Sequence, residues 1–192
     1  MTSLSERIKN NEIILLDGAV STEIQKRGVA MDPDVWSGLA HKGHPEIVRQ
    51  VHEDYIGAGA QVITANTFST ARHVLESLDL GDEVRSINTE AVRLAQAARD
   101  IAAKGETWIA GSMSSMAPFS SQQEVAAGEE VADNYQELAE ILAEAGVDLI
   151  IAEMMRDAEN ARMVIEAALS TGLPVWIGYS AMMADDGELS LI

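Results

Sequence analysis

Short apolar runs alternate along the chain with longer segments in which apolar residues recur every three or four positions. Ile13-Ile14-Leu15-Leu16, Gln61-Val62-Ile63-Thr64-Ala65, Trp108-Ile109-Ala110, Asp148-Leu149-Ile150-Ile151-Ala152 and Pro174-Val175-Trp176-Ile177-Gly178-Tyr179 read as five strands. The spacing of Ile47, Val48, Val51, Tyr55 and Ile56 predicts a helix from Pro45, where proline suits the first turn, to a stop at Gly59. A second helix is expected from an N-cap at Asp82, with Val84, Ile87, Ala91, Leu94, Ala95, Ala98 and Ile101 inward. A third runs from about Glu130 to Ala145 on Val131, Tyr135, Leu138, Ile141 and Leu142, and a fourth from Asp157 to about Thr171, stopped by Gly172. Strands joined by crossover-length helices imply parallel βαβ units, with strands buried on both faces. The chain of 192 residues therefore reads as a single α/β domain, 1–192, with five strands and four major helices.

An internal similarity locates the candidate chemistry. Ala58-Gly59-Ala60-Gln61-Val62-Ile63-Thr64-Ala65-Asn66 aligns with Ala145-Gly146-Val147-Asp148-Leu149-Ile150-Ile151-Ala152-Glu153. Asn66 and Glu153 then follow equivalent strands, as Asp17 follows the first and Ser112 the third. Parallel α/β folds open their strand C-termini onto one surface, so these four polar residues are expected at one mouth. The bland alternative is that each caps the turn it starts. The least regular stretch, Met113 to Gly128, also follows a strand end, where working loops gather.

Composition removes several classes. Hydrophobic residues make up 47% and charged ones 23%, which argues against disorder. A net charge of −18 disfavours nucleic-acid or anionic-membrane partners, which need a basic face. No apolar run approaches the roughly 20 residues of a membrane span. The opening residues lack a signal-peptide core, so the expected location is the cytoplasm. The sequence has no cysteine, so neither a disulfide nor a cysteine-built zinc site can form within it. His41, His44 and His52 offer a metal spacing in principle, but solvent exposure or local capping fits them better; no metal ligand is assigned. Of nine methionines, Met113, Met116, Met154 and Met155 fall near the expected mouth, although methionine is usually a core filler. There is no G-x-G-x-x-G and no G-x-S-x-G pattern.

Leu15-Leu16-Asp17-Gly18-Ala19-Val20-Ser21-Thr22-Glu23-Ile24 resembles the opening motif of the homocysteine S-methyltransferase family. So do His52-Glu53-Asp54-Tyr55-Ile56-Gly57-Ala58-Gly59-Ala60 running into Ile63-Thr64-Ala65-Asn66-Thr67-Phe68, then Asn88-Thr89-Glu90-Ala91-Val92, and Gly146 through Glu153. Four motifs in order cover nearly the whole chain. The resemblance implies a TIM-type (β/α)₈ barrel, of which this chain is the N-terminal part, and methyl transfer from a small donor to the thiol of homocysteine, giving methionine. It implies a substrate pocket of Asp17, Gly18, Asn66, Thr67, Phe68 and Ser112, with Glu153 on the substrate ammonium, and assigns no catalytic residue.

It also implies a zinc ion held by cysteines, which keeps the substrate sulfur deprotonated. The family's cysteines lie beyond the region matched, so this cysteine-free chain is expected to be inactive by itself. Two further departures bear on substrate contacts. Gly111-Ser112-Met113-Ser114-Ser115 replaces a Gly-Ser-x-Gly-Pro-like loop, and Met154 stands where threonine often follows the glutamate. A full barrel takes about 250 residues. A fragment of a longer enzyme, a split or degenerate homologue, and a divergent half-barrel all remain open. Open strand edges favour a homo-oligomer or a covering partner chain. The competing function is a noncatalytic α/β module that binds an amino acid or a partner chain.

Overall fold

The computed structural model describes residues 4–115, 129–156, 158–183 and 187–191. Its frame is a parallel sheet in the order β1-β2-β3-β4, formed by β1 (Val62–Thr64), β2 (Trp108–Ser114), β3 (Leu149–Met155) and β4 (Val175–Tyr179). Thr64 stands beside Ala110, Ala110 beside Leu149, and Ile150 beside Val175. The helices in chain order are α1 (Leu4–Lys9), α2 (Val20–Lys26), α3 (Ala40–Gly43), α4 (Pro45–Gly57), α5 (Arg72–Leu75), α6 (Val84–Ala102), α7 (Glu129–Ala145) and α8 (Ala158–Ser170). The four long ones, α4, α6, α7 and α8, match the helices expected from periodicity.

The main core lies between the sheet and these long helices. Ile63, Ile109, Met113 and Ile150 from the strands meet Val92, Ala95, Leu138, Leu142 and Val164 from the helices. Gly111 is small for a packing reason: a Cβ there would come within 2.9 Å of the Leu142 side chain. A smaller cluster of Leu4, Val62, Ala110, Leu149 and Ile151 covers the other face, so α1 closes one end of it. Gly59, at φ +106°, ends α4 through a left-handed turn that a side chain would resist.

Several expectations are corrected. Ile13–Leu16 is not a buried strand: it makes one parallel bridge, Leu16 to Val62, and Ile13 is 82% exposed. The run sits at the sheet edge, where nothing among the described residues covers its outer side. β4, at the opposite edge, leaves Ile177 and Tyr179 exposed for the same reason. Four strands, not five, make the sheet, and a small antiparallel pair, β5 (Ala181–Met183) with β6 (Leu189–Leu191), was not anticipated. Asp82 is no N-cap; it lies in a 3₁₀ turn over Gly81–Glu83 that tightens the entry to α6. Ile101 is exposed because the last turn of α6 runs past the sheet.

His41 and His52 are buried, not solvent-facing, because both lie on the packed side of their helices. Burial holds the His52 imidazole well below its usual value, at about 4. Most of the irregular stretch, residues 116–128 with Met116, falls outside the described residues, and its first positions belong to β2. Asp157, the expected start of α8, also lies outside them. Among the described residues no helix is long and apolar enough to cross a membrane.

Candidate functional site

A cavity of about 650 Å³ opens over the sheet, and Asp17, Gly18, Asn66, Phe68, Ser112 and Glu153 all line it. Six of the seven residues expected at the mouth are thus brought together. Thr67, the seventh, is fully buried behind the wall: its hydroxyl donates to the Ser112 carbonyl at 2.9 Å and accepts the Ser112 N–H at 3.0 Å. Ser112 and Glu153 do not follow their strands, as expected, but lie within β2 and β3. Strand alternation then aims them at the face of the sheet that the cavity occupies.

Asp17 is held from two sides. Its main-chain N–H donates to Val62 O at 2.9 Å. Its carboxylate accepts the Thr64 N–H at 2.7 Å and the Thr64 hydroxyl at 2.9 Å. Burial pushes the carboxyl up to about 6, further raised by the negative Glu153 and partly opposed by the Thr64 bonds. Gly18 follows because Tyr55 leaves no room: a Cβ there would sit 2.8 Å from the phenolic oxygen. Glu153 accepts the Ser112 hydroxyl at 2.6 Å, and burial raises its carboxyl too. Among the described residues neither Asp17 nor Glu153 forms an ion pair. The thirteen ion pairs among the described residues all involve other acidic residues.

Asn66 is largely committed to the protein. Its amide donates to Ser37 O at 2.7 Å and its oxygen accepts the Ser37 hydroxyl at 2.8 Å, which also meets Ser21 at 2.7 Å. This chain of small polar groups ties the loop before α3 to the end of β1. Phe68 stacks on Trp36 with ring centres 5.4 Å apart, giving the cavity an aromatic wall. Met154 also lines it, whereas Met113 and Met155 are core residues. The register of β3 against β4 slips by one residue between Ala152 and Met155. Met154 sits in that bulge at φ +54°. Bulges and left-handed non-glycine residues concentrate at working sites.

Sequence reasoning missed Thr64, Trp36 and Ser37. Trp36 carries no local signal for its φ of +51°. Thr64 and Ser37 act on residues 47 and 29 positions away, which no periodicity reveals.

The family model for homocysteine S-methyltransferase matches residues 14–190. The chain belongs to that family. Betaine–homocysteine S-methyltransferase 1 of Danio rerio is 31% identical over 96% of this chain and 44% of its own length. S-methylmethionine–homocysteine S-methyltransferase BHMT2 of Pongo abelii is 28% identical over 88% of this chain and 44% of its own. The chain thus spans less than half the length of each of these two relatives. Among solved structures, the metallated form of the homocysteine methyltransferase MmuM from Escherichia coli superposes with a TM-score of 0.72. It is 23% identical and covers 90% of this chain and 65% of that one, a likeness of fold.

The residues present do not suit the zinc site expected for the family. A sulfur-ligated zinc needs thiolates, and the sequence has none. Among the described residues no cluster of three or more His, Asp or Glu stands ready to hold a metal ion.

Proposed function

We propose that this chain is the amino-acid-holding part of a homocysteine S-methyltransferase, and that the cavity over the sheet takes homocysteine with its ammonium group between Asp17 and Glu153. The observation that carries this reading is the pair of partly buried carboxylates lining one cavity without a basic partner. A carboxylate withdrawn from water is costly unless it is paired. A cationic ligand would supply the missing charge and bring both groups back towards their ordinary acidity. Family membership makes homocysteine the leading amino acid.

In the reaction, a bond forms between the homocysteine sulfur and the methyl carbon as the donor's bond to that carbon breaks. This chain's residues would fix the amino-acid end. Asp17 and Glu153 would accept from the ammonium, Gly18 would let the ligand approach the backbone, and Asn66, Ser112 and Phe68 would shape the wall. Thr67 would act from behind by orienting Ser112. Trp36 and Phe68 offer π-faces suited to a cationic methyl donor such as a sulfonium or quaternary ammonium. The chain offers no thiolate to hold a metal against the substrate sulfur, so the function proposed for it alone is binding and orientation.

Titration calorimetry with homocysteine at neutral pH tests this. Asp17→Asn and Glu153→Gln should each weaken binding by about 10- to 100-fold, the usual loss for a charged hydrogen bond. Asp148→Asn, which is remote from the cavity, should leave it unchanged. Affinity insensitive to both cavity variants would remove the assigned role.

A further inference from the structure

We infer that Thr64 is a positioning residue for the candidate site, its N–H and hydroxyl together clamping both carboxylate oxygens of Asp17 against the cavity wall. The inference deepens the reading of the cavity as a cation-binding site, and it starts from the hydrogen-bond ladder. Val62 N–H donates to Leu15 O at 3.1 Å, and Asp17 N–H donates back to Val62 O at 2.9 Å. In a parallel ladder the next rung would run from Thr64 N–H to the main-chain carbonyl of Asp17. The side chain intercepts it: Thr64 N–H donates to Asp17 Oδ2 at 2.7 Å, and Thr64 Oγ1 donates to Oδ1 at 2.9 Å.

Two consequences follow. The ladder stops at Asp17, which frees the chain to turn out through Gly18 into α2. The carboxylate also receives two donors that favour its charged form, against burial and against Glu153 on β3. The other titratable group facing it is Tyr55 on α4, which interacts electrostatically with Asp17. Thr64 is itself buried, so water cannot readily replace the hydroxyl.

The test is a carboxyl ¹³C NMR titration of Asp17 in the ligand-free chain. Wild type should titrate at about 6. Thr64→Val keeps the shape and the N–H but removes the hydroxyl, and should raise the midpoint by about one pH unit. Thr64→Ser should restore the wild-type value. Should valine not be accepted by the fold, Thr64→Ala lacks the same hydroxyl and should shift the midpoint in the same direction. A midpoint unmoved in the variants lacking the hydroxyl overturns the inference. Homocysteine affinity measured from pH 6 to 9 then separates the two readings: Thr64→Val should bind more weakly at pH 7 and recover as pH rises. If no variant, wild type included, binds homocysteine while the Asp17 midpoint still moves, the positioning role stands and the ligand assignment falls.

Discussion

Asp17 and Asp148 perform the same local task at two different places in the sheet. Each accepts a strand N–H at 2.7 Å, Asp17 from Thr64 and Asp148 from Ile109. Their surroundings then diverge. Asp148 has Arg99 at 3.3 Å, and the left-handed turn just before it is made by Gly146 at φ +89°. Asp17 has no cation among the described residues. It faces a second carboxylate, beside which Met154 adopts a left-handed backbone without being glycine. A strand end can therefore be satisfied cheaply, and at Asp148 it is. The uncompensated charge collects at the cavity, and so do two of the four left-handed non-glycine residues among those described, Trp36 and Met154; the other two, Asn11 and Asp79, are residue types that tolerate that backbone.

The largest test of this contrast is pH. The Asp17 carboxyl is raised when folded, so its ionisation opposes folding at high pH, and the penalty fades as pH falls through about 6 towards 4. Asp17→Asn keeps an acceptor for Thr64 N–H. It should raise stability at pH 8 by roughly 3 kcal/mol over wild type, with the gain vanishing near pH 4. His52 works in the opposite sense. Both its ring nitrogens are buried without hydrogen-bond partners, and its value is lowered to about 4, so stability is lost as pH falls from about 6.5 towards 4. Asp17→Asn should unmask that acid loss in urea melts taken across this range. A flat difference between wild type and variant would contradict the contrast.

At the other place, Asp148→Ala strands the Ile109 N–H and removes one of the two acidic partners of Arg99. A loss of about 2 kcal/mol is expected by urea denaturation, nearly all from the orphaned amide, since the ion pair is substantially exposed. Gly146→Ala should cost about 1 to 2 kcal/mol by the same assay, because its φ is left-handed and a Cβ would lie 3.2 Å from Gln96 Nε2. Met154→Gly is the smallest effect and has the reverse sign, a gain of up to about 1 kcal/mol in thermal melts. A large loss there would mean that the methionine side chain, not its backbone, holds the bulge.

How far the sequence foretold this molecule can be judged from near-identical runs. Ile13-Ile14-Leu15-Leu16 and Leu149-Ile150-Ile151-Ala152 look alike on paper. The second is buried between β2 and β4, while the first lies at an edge with Ile13, Leu15 and Leu16 exposed. Periodicity reports what a segment can bury, and its neighbours decide what it does bury. The long helices were readable because α4, α6, α7 and α8 each bury a stripe several turns long. The short α2, α3 and α5 have too few turns to carry one. Asp17, Asn66 and Glu153 stood out because each is the polar residue that ends an apolar run in the sequence, although Glu153 lies inside β3 and not at its end. Thr64 could not, since a threonine in a strand looks like any other until its partner 47 residues away is known.

The substitution of a carboxylate for a carbonyl at Asp17 carries an evolutionary consequence. On the proposed reading of the cavity, the atoms that stop the sheet also supply the charge that meets the ligand, so one codon would govern both architecture and recognition. Asparagine preserves the shape and the acceptor while discarding the charge. A lineage could therefore abandon its ligand in a single step and inherit the scaffold intact, and an asparagine at this position in a related sequence would mark such a descendant.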